Sequence, residues 1–147
     1  MDVKEFLSSS DILVDVRASD KTQLLQELAR RAAASLNLAA EQISAEILKR
    51  EELGSTGTGG GVAIPHARIQ GLKRTFGILV RLKNPIDFQA VDSKPVDLVF
   101  LLLLSAESAG VQLNALASVA RKLRDAACLR SLRSAGGAAD LYDVMTA

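Results

Sequence analysis

Apolar positions along the chain change period several times, and each change marks an element. The run ILVDV at 12–16 is apolar and branched, as a strand requires. From Asp20 onward the period becomes helical, with Leu24, Leu25, Leu28, Ala29 and Ala32 on one side. Asp20 stands at the capping position and Gln23 at the reciprocal one, and the helix is expected to end near Asn37. A second helix over 40–52 places Ile43 and Ile47 inward, with Glu46, Lys49, Arg50 and Glu51 as a charged border.

The segment GVAIPH, 61–66, is expected to be extended because the residue before Pro65 is pushed out of helical geometry, which leaves His66 at its exit. Strands are predicted over 74–82 and 96–104, the second apolar enough for burial on both faces of a sheet. Between them NPIDFQAVDSKP reads as loop with room for one short strand. A helix over 111–124 carries a stripe of Leu113, Leu116, Ala117, Ala120 and Leu123, with Gln112 and Asn114 near its start, where unpaired backbone N–H groups accumulate. Two short helices, 126–134 and 138–145, follow across an AGG break. This interleaving predicts a single α/β domain over 1–147, a helix-covered sheet of unspecified strand order.

Composition narrows the function. The 147 residues, 48% of them apolar, suffice for one sizeable core. Charge is balanced, with 18 basic against 17 acidic residues, and the arginines between Arg121 and Arg133 alternate with leucines rather than aromatics. Phe6, Phe76, Phe88, Phe100 and Tyr142 are scattered, so no nucleic-acid surface is expected. The lone Cys128 cannot form an internal disulfide and fits a reducing compartment. No secretion signal opens the chain, and VDLVFLLLLSA is about half the length that crosses a bilayer, so a cytoplasmic protein without membrane insertion is expected.

The candidate chemistry lies in GSTGTGGGVAIPHAR, 54–68, which contains the chain's one histidine. A nucleotide P-loop would need lysine and serine or threonine after its glycine frame, and a dinucleotide fingerprint would need glycine where Val62 stands. A third reading is a histidine that accepts phosphate transiently. Arg50, Thr56, Thr58 and the backbone N–H groups around Gly59 and Gly60 would then be the donors toward the phosphate. On residue order alone His66 better suits a surface or hydrogen-bonded turn residue, Arg50 a surface group or partner of Glu46 or Glu51, and the threonines simple turn positions. One histidine and one distant cysteine give no metal site, and no cofactor motif is present. Asp92 and Asp97 read as loop or strand-edge residues.

The segments KREELGSTGTGGGVAIPHARIQGL (49–72), GILVRLKNPIDFQAVDSKPVDLVFLLLLSAES and QLNALASVARKLRD together resemble the fructose/mannitol-type IIA domain of the bacterial phosphoenolpyruvate-dependent phosphotransferase system, in the form of its nitrogen-regulatory branch. The resemblance implies an α/β phosphocarrier, a central mixed β-sheet flanked by helices on both faces, in which His66 accepts a phosphoryl group from an HPr-like protein and Arg50 and the glycine segment surround the acceptor. Its partners would be regulatory kinases or ion-transport regulators in the regulatory branch, or a IIB component in sugar transport. The absence of an attached IIB-like or membrane segment favours regulation. One position departs from the family: QLNALA stands where HLxxLA is common, so Gln112 replaces a second active-site histidine. Glutamine can donate a hydrogen bond to phosphate but carries no charge. The resemblance therefore also admits a binding-only module that has lost transfer.

Overall fold

The structure is a computed structural model that describes residues 1–107 and 109–147, with the side chains of 109–112 outside the description. Two single-turn 3₁₀ helices lead into β1 (Ile12–Val16), followed by α1 (Lys21–Leu36), α2 (Ala40–Glu52), β2 (Gly57–Gly59), β3 (Val62–Ala63) and β4 (His66–Ile69). The chain continues through β5 (Phe76–Ile86), β6 (Val96–Ser105), α3 (Ala109–Arg124), α4 (Ala126–Ser134) and α5 (Ala138–Thr146). The strands form one mixed sheet of order β1-β5-β6-β3-β2, and β4 pairs with β6 beyond the end of β3. β5 and β6 are antiparallel, whereas β1 runs parallel to β5, and β3 and β4 run parallel to β6.

Helices cover both faces. Because strand side chains alternate between faces, β6 sends Val99, Leu101 and Leu103 into a core with Leu24, Leu25, Leu28, Ile43 and Ile47 of α1 and α2. Its other residues, Leu98, Phe100, Leu102 and Leu104, meet Val119, Leu123, Leu132, Leu141 and Met145 of α3 to α5. Both faces of β6 are therefore dry, which accounts for its nearly unbroken apolar run. The α1 cap forms as the sequence indicates, Asp20 accepting from the Gln23 N–H at 2.8 Å, although the Gln23 side chain reaches back to the Ser19 N–H instead of the Asp20 one. Asn37 closes α1 in the left-handed region at φ 55°.

Four expectations need correction. β5 runs on to Ile86, absorbing the start of the expected loop. His66 opens a second strand instead of ending the first, because β4 finds open backbone partners along β6. Glu51 is buried and leaves the charged border. On α3 the buried residues are Ala115, Val119 and Leu123, while Leu113 is 62% exposed and Ala117 faces solvent. The apolar side of α3 is wider than the core it meets, and its surplus leucines, Leu113 and Leu116, turn toward a groove beside β4.

Gly77 in β5 is fixed by close approach: a Cβ there would stand 2.7 Å from Cε1 of Phe100, whose ring packs edge-on against Phe6. Gly77→Ala is expected to destabilise the fold by about 1–3 kcal/mol through overpacking. Urea unfolding checks this, and an unchanged midpoint would contradict the packing described.

Candidate functional site

His66 is placed by register. It opposes Leu102 across the β4–β6 ladder, and the preceding Pro65 carbonyl accepts the Leu102 N–H at 2.9 Å. The buried Ile64 is fixed as well, its N–H donating to the Thr56 carbonyl at 3.0 Å. This leaves the Ile64 carbonyl 2.8 Å from Nδ1 of His66. A carbonyl can only accept, so Nδ1 carries the hydrogen, and in the neutral ring the lone pair lies on Nε2. Burial lowers the imidazole pKa below the ordinary histidine value, and the Arg50 charge adds to this, against opposing contributions from the Ile64 carbonyl and Glu51. The ring is thus biased toward the form that can act as a nucleophile.

Beneath this site lies a buried carboxylate. Glu51 accepts from the Thr56 N–H at 3.0 Å and from the Thr56 hydroxyl at 2.6 Å, and its Oε2 is 3.0 Å from Lys21 Nζ. Lys21 in turn donates to the Phe88 carbonyl at 3.1 Å and lies 5.0 Å from the centre of the Phe88 ring. These bonds tie α1, α2 and the segment before β2 into one unit. Arg50, the next residue back on α2, donates to the Gly54 carbonyl at 2.9 Å and pairs with neither Glu46 nor Glu51. It shares a groove with His66, Lys49 and Arg68, and Leu53, Leu113 and Leu116 supply apolar walls.

The structure brings Arg50 and His66 together but sets much of the glycine segment apart. Val62 opposes Leu98 and His66 opposes Leu102, four residues farther along β6, or about 13 Å at strand spacing. Thr58, Gly59 and Gly60 therefore stand at the far end of the β2–β3 hairpin, with the backbone of both glycines in the left-handed region. The Gly60 N–H donates to Asp92, and its carbonyl accepts from Arg133, which also pairs with Asp97 at 2.9 Å. The Lys94 N–H and, after it, the Gly60 N–H hold the exposed Asp92 carboxyl below its ordinary pKa. Thr56 lies nearer His66, but its hydroxyl is engaged by Glu51. Gln112 is on the first turn of α3, and its side chain lies outside the described residues.

Sequence reasoning missed Glu51 and Lys21. The signal was present: Ile43, Ile47 and Glu51 are spaced by four, so the carboxylate falls in line with the buried face of α2. Arg68, two residues after His66, also went unremarked as a lining residue. Among the described residues no group of three or more His, Cys, Asp or Glu side chains could hold a metal ion, and no helix is long and apolar enough to cross a membrane.

Comparison with known proteins agrees with this fold. The family described as phosphoenolpyruvate-dependent sugar phosphotransferase system, EIIA 2, matches residues 5–147. A nitrogen regulatory protein of Bradyrhizobium diazoefficiens is 40% identical over 145 residues, covering 99% of this chain and 95% of its own. The nitrogen regulatory protein of Escherichia coli is 39% identical over 132 residues, covering 89% of this chain and 81% of its own. The crystal structure of the nitrogen regulatory protein IIA-Ntr from Neisseria meningitidis superposes with a TM-score of 0.93 at 33% identity, covering 98% of this chain and 99% of that one.

Two outcomes are expected. Glu51→Ala strands Lys21 and frees both Thr56 donors, and should cost about 3–5 kcal/mol in chemical denaturation, as removal of one member of a buried pair does; a loss comparable to a surface substitution would refute the latch. The His66 ring should titrate below the ordinary histidine range when followed by NMR. Because the folded pKa is the lower one, the stabilisation linked to neutral His66 is present above the unfolded value and is lost as pH falls through the folded one. A ring that titrates above the ordinary range would contradict this.

Proposed function

The chain belongs to the EIIA 2 family of the phosphoenolpyruvate-dependent sugar phosphotransferase system, and from that premise we propose that it is a nitrogen-regulatory IIA-like phosphocarrier whose acceptor is Nε2 of His66. The observation that carries the reading is the Nδ1 contact with the Ile64 carbonyl, which directs the ring's lone pair to Nε2 beside Arg50. An HPr-like protein is the donor. Nε2 attacks phosphorus in line while the donor's bond to phosphorus breaks and the donor nitrogen leaves with the electron pair; Nδ1 keeps its hydrogen on Ile64. Arg50 offers the developing charge on the phosphoryl oxygens a planar fork of donors, and Gln112 supplies an uncharged hydrogen bond. Thr56 acts through Glu51 by holding the segment that positions Ile64.

The phosphoryl group carries about 1.5–2 negative charges at neutral pH, offset in part by the ring that keeps its Nδ1 hydrogen. At the mouth of a groove walled by Leu53, which is 83% exposed, and Leu113, such a change alters which protein surfaces can dock. We therefore read the output as regulation of partners such as kinases or ion-transport regulators, according to phosphorylation state. Gln112 favours one second reading, a binding-only module. A IIB component remains the recipient in the sugar-transport reading that the family also supports.

Intact-mass analysis with phosphoenolpyruvate, enzyme I and an HPr-like donor tests the proposal. One acid-labile phosphate is expected, absent in His66→Ala, and Arg50→Met should slow its acquisition about a hundredfold. Persistent labelling of His66→Ala would exclude His66 as the acceptor. Native protein that stays unlabelled while Gln112→His is labelled would establish the binding-only reading.

A further inference from the structure

The geometry points to Arg68 as a second guanidinium that binds the oxygens of a phosphoryl group on His66, an inference that rests on the reading of His66 as acceptor. His66 and Arg68 are alternate residues of β4, with the buried Ala67 between them, so their side chains leave the strand on the same side about 6.6 Å apart. An arginine side chain spans that interval, and both residues line the same groove. Arg68 is exposed, and among the described residues its guanidinium takes part in no hydrogen bond or ion pair.

The phosphoryl oxygens call for such a donor. A phosphoryl group presents three strong acceptor oxygens, and Arg50 already gives one donor to the Gly54 carbonyl. From α2, Glu46 brings a negative charge to the groove and Lys49 a positive one, while the carboxylate of Glu51 lies buried behind. Arg68 comes from β4 instead of α2, on a backbone held by β6, and offers a planar fork that suits phosphate oxygens better than a point charge. The phosphoryl group would then sit between Arg50 and Arg68.

The test uses phosphoramidate, a donor too small to need a protein interface. Nε2 forms its bond to phosphorus as the nitrogen–phosphorus bond of phosphoramidate breaks, and ammonia leaves with that electron pair; the ring becomes a phosphorylated imidazolium with its hydrogen still on Nδ1. Arg68→Gln is expected to slow labelling about tenfold, the loss of one charge-assisted hydrogen bond. It should also raise the pKa of the phosphoryl group followed by phosphorus NMR, with Arg68→Lys restoring much of that shift. A merely structural role for this exposed side chain would move neither readout selectively. If native protein is labelled and Arg68→Gln matches it in rate and titration, or if Lys49→Gln produces the effects instead, the assignment to Arg68 is wrong while the acceptor reading stands. If neither donor labels His66 in native protein, both fall together.

Discussion

The carboxylate of Glu51 is the constraint from which the site follows. Its side chain is only 5% exposed, and a charge so placed is tolerated because Lys21 and both donors of Thr56 surround it. The helix carrying Arg50 and the segment that sets the depth of Ile64 are thereby locked together. Hydrophobic burial holds α1 and α2 against the sheet, but burial has no direction. The hydrogen bonds of Glu51 are directional and decide how α2 ends, where the chain turns, and at what height it re-enters the sheet.

Register supplies the other half. β6 holds β3 and then β4 along one edge, so a single strand aligns both the glycine hairpin and the histidine. Pro65, between those two strands, leaves the Ile64 carbonyl facing Nδ1, and this contact selects the tautomer. The glycines that draw attention in the sequence shape the turn, which Asp92, Asp97 and Arg133 fasten from outside. They serve the site from a distance by fixing the hairpin from which β3 and β4 depart.

Much of this was legible in the sequence. The helical periods of α1 and α2, the Asp20 cap and the doubly buried β6 were all signalled by residue spacing, and family likeness directed attention to Arg50 and His66. What was not legible depends on contacts between segments distant in sequence. Lys21 and Glu51 are 30 residues apart, so neither looks like half of a buried pair until the helices pack. The inward face of α3 was misjudged because its apolar positions outnumber the places the core offers. Thr58, Gly59 and Gly60 looked close to His66 because they are close in sequence, yet a hairpin carries them away.

Among the described residues the His66 ring is held at Nδ1 alone, by the Ile64 carbonyl, and the proposed nucleophile at Nε2 rests on that one-sided contact. The most direct measurement is a long-range proton–nitrogen correlation spectrum of the phosphorylated protein, with nitrogen-15 in the imidazole ring. Phosphorus on Nε2 and hydrogen retained on Nδ1 are the expected result. Phosphorus on Nδ1 would mean that the bond to Ile64 breaks before reaction, and would contradict the geometry on which the site is built.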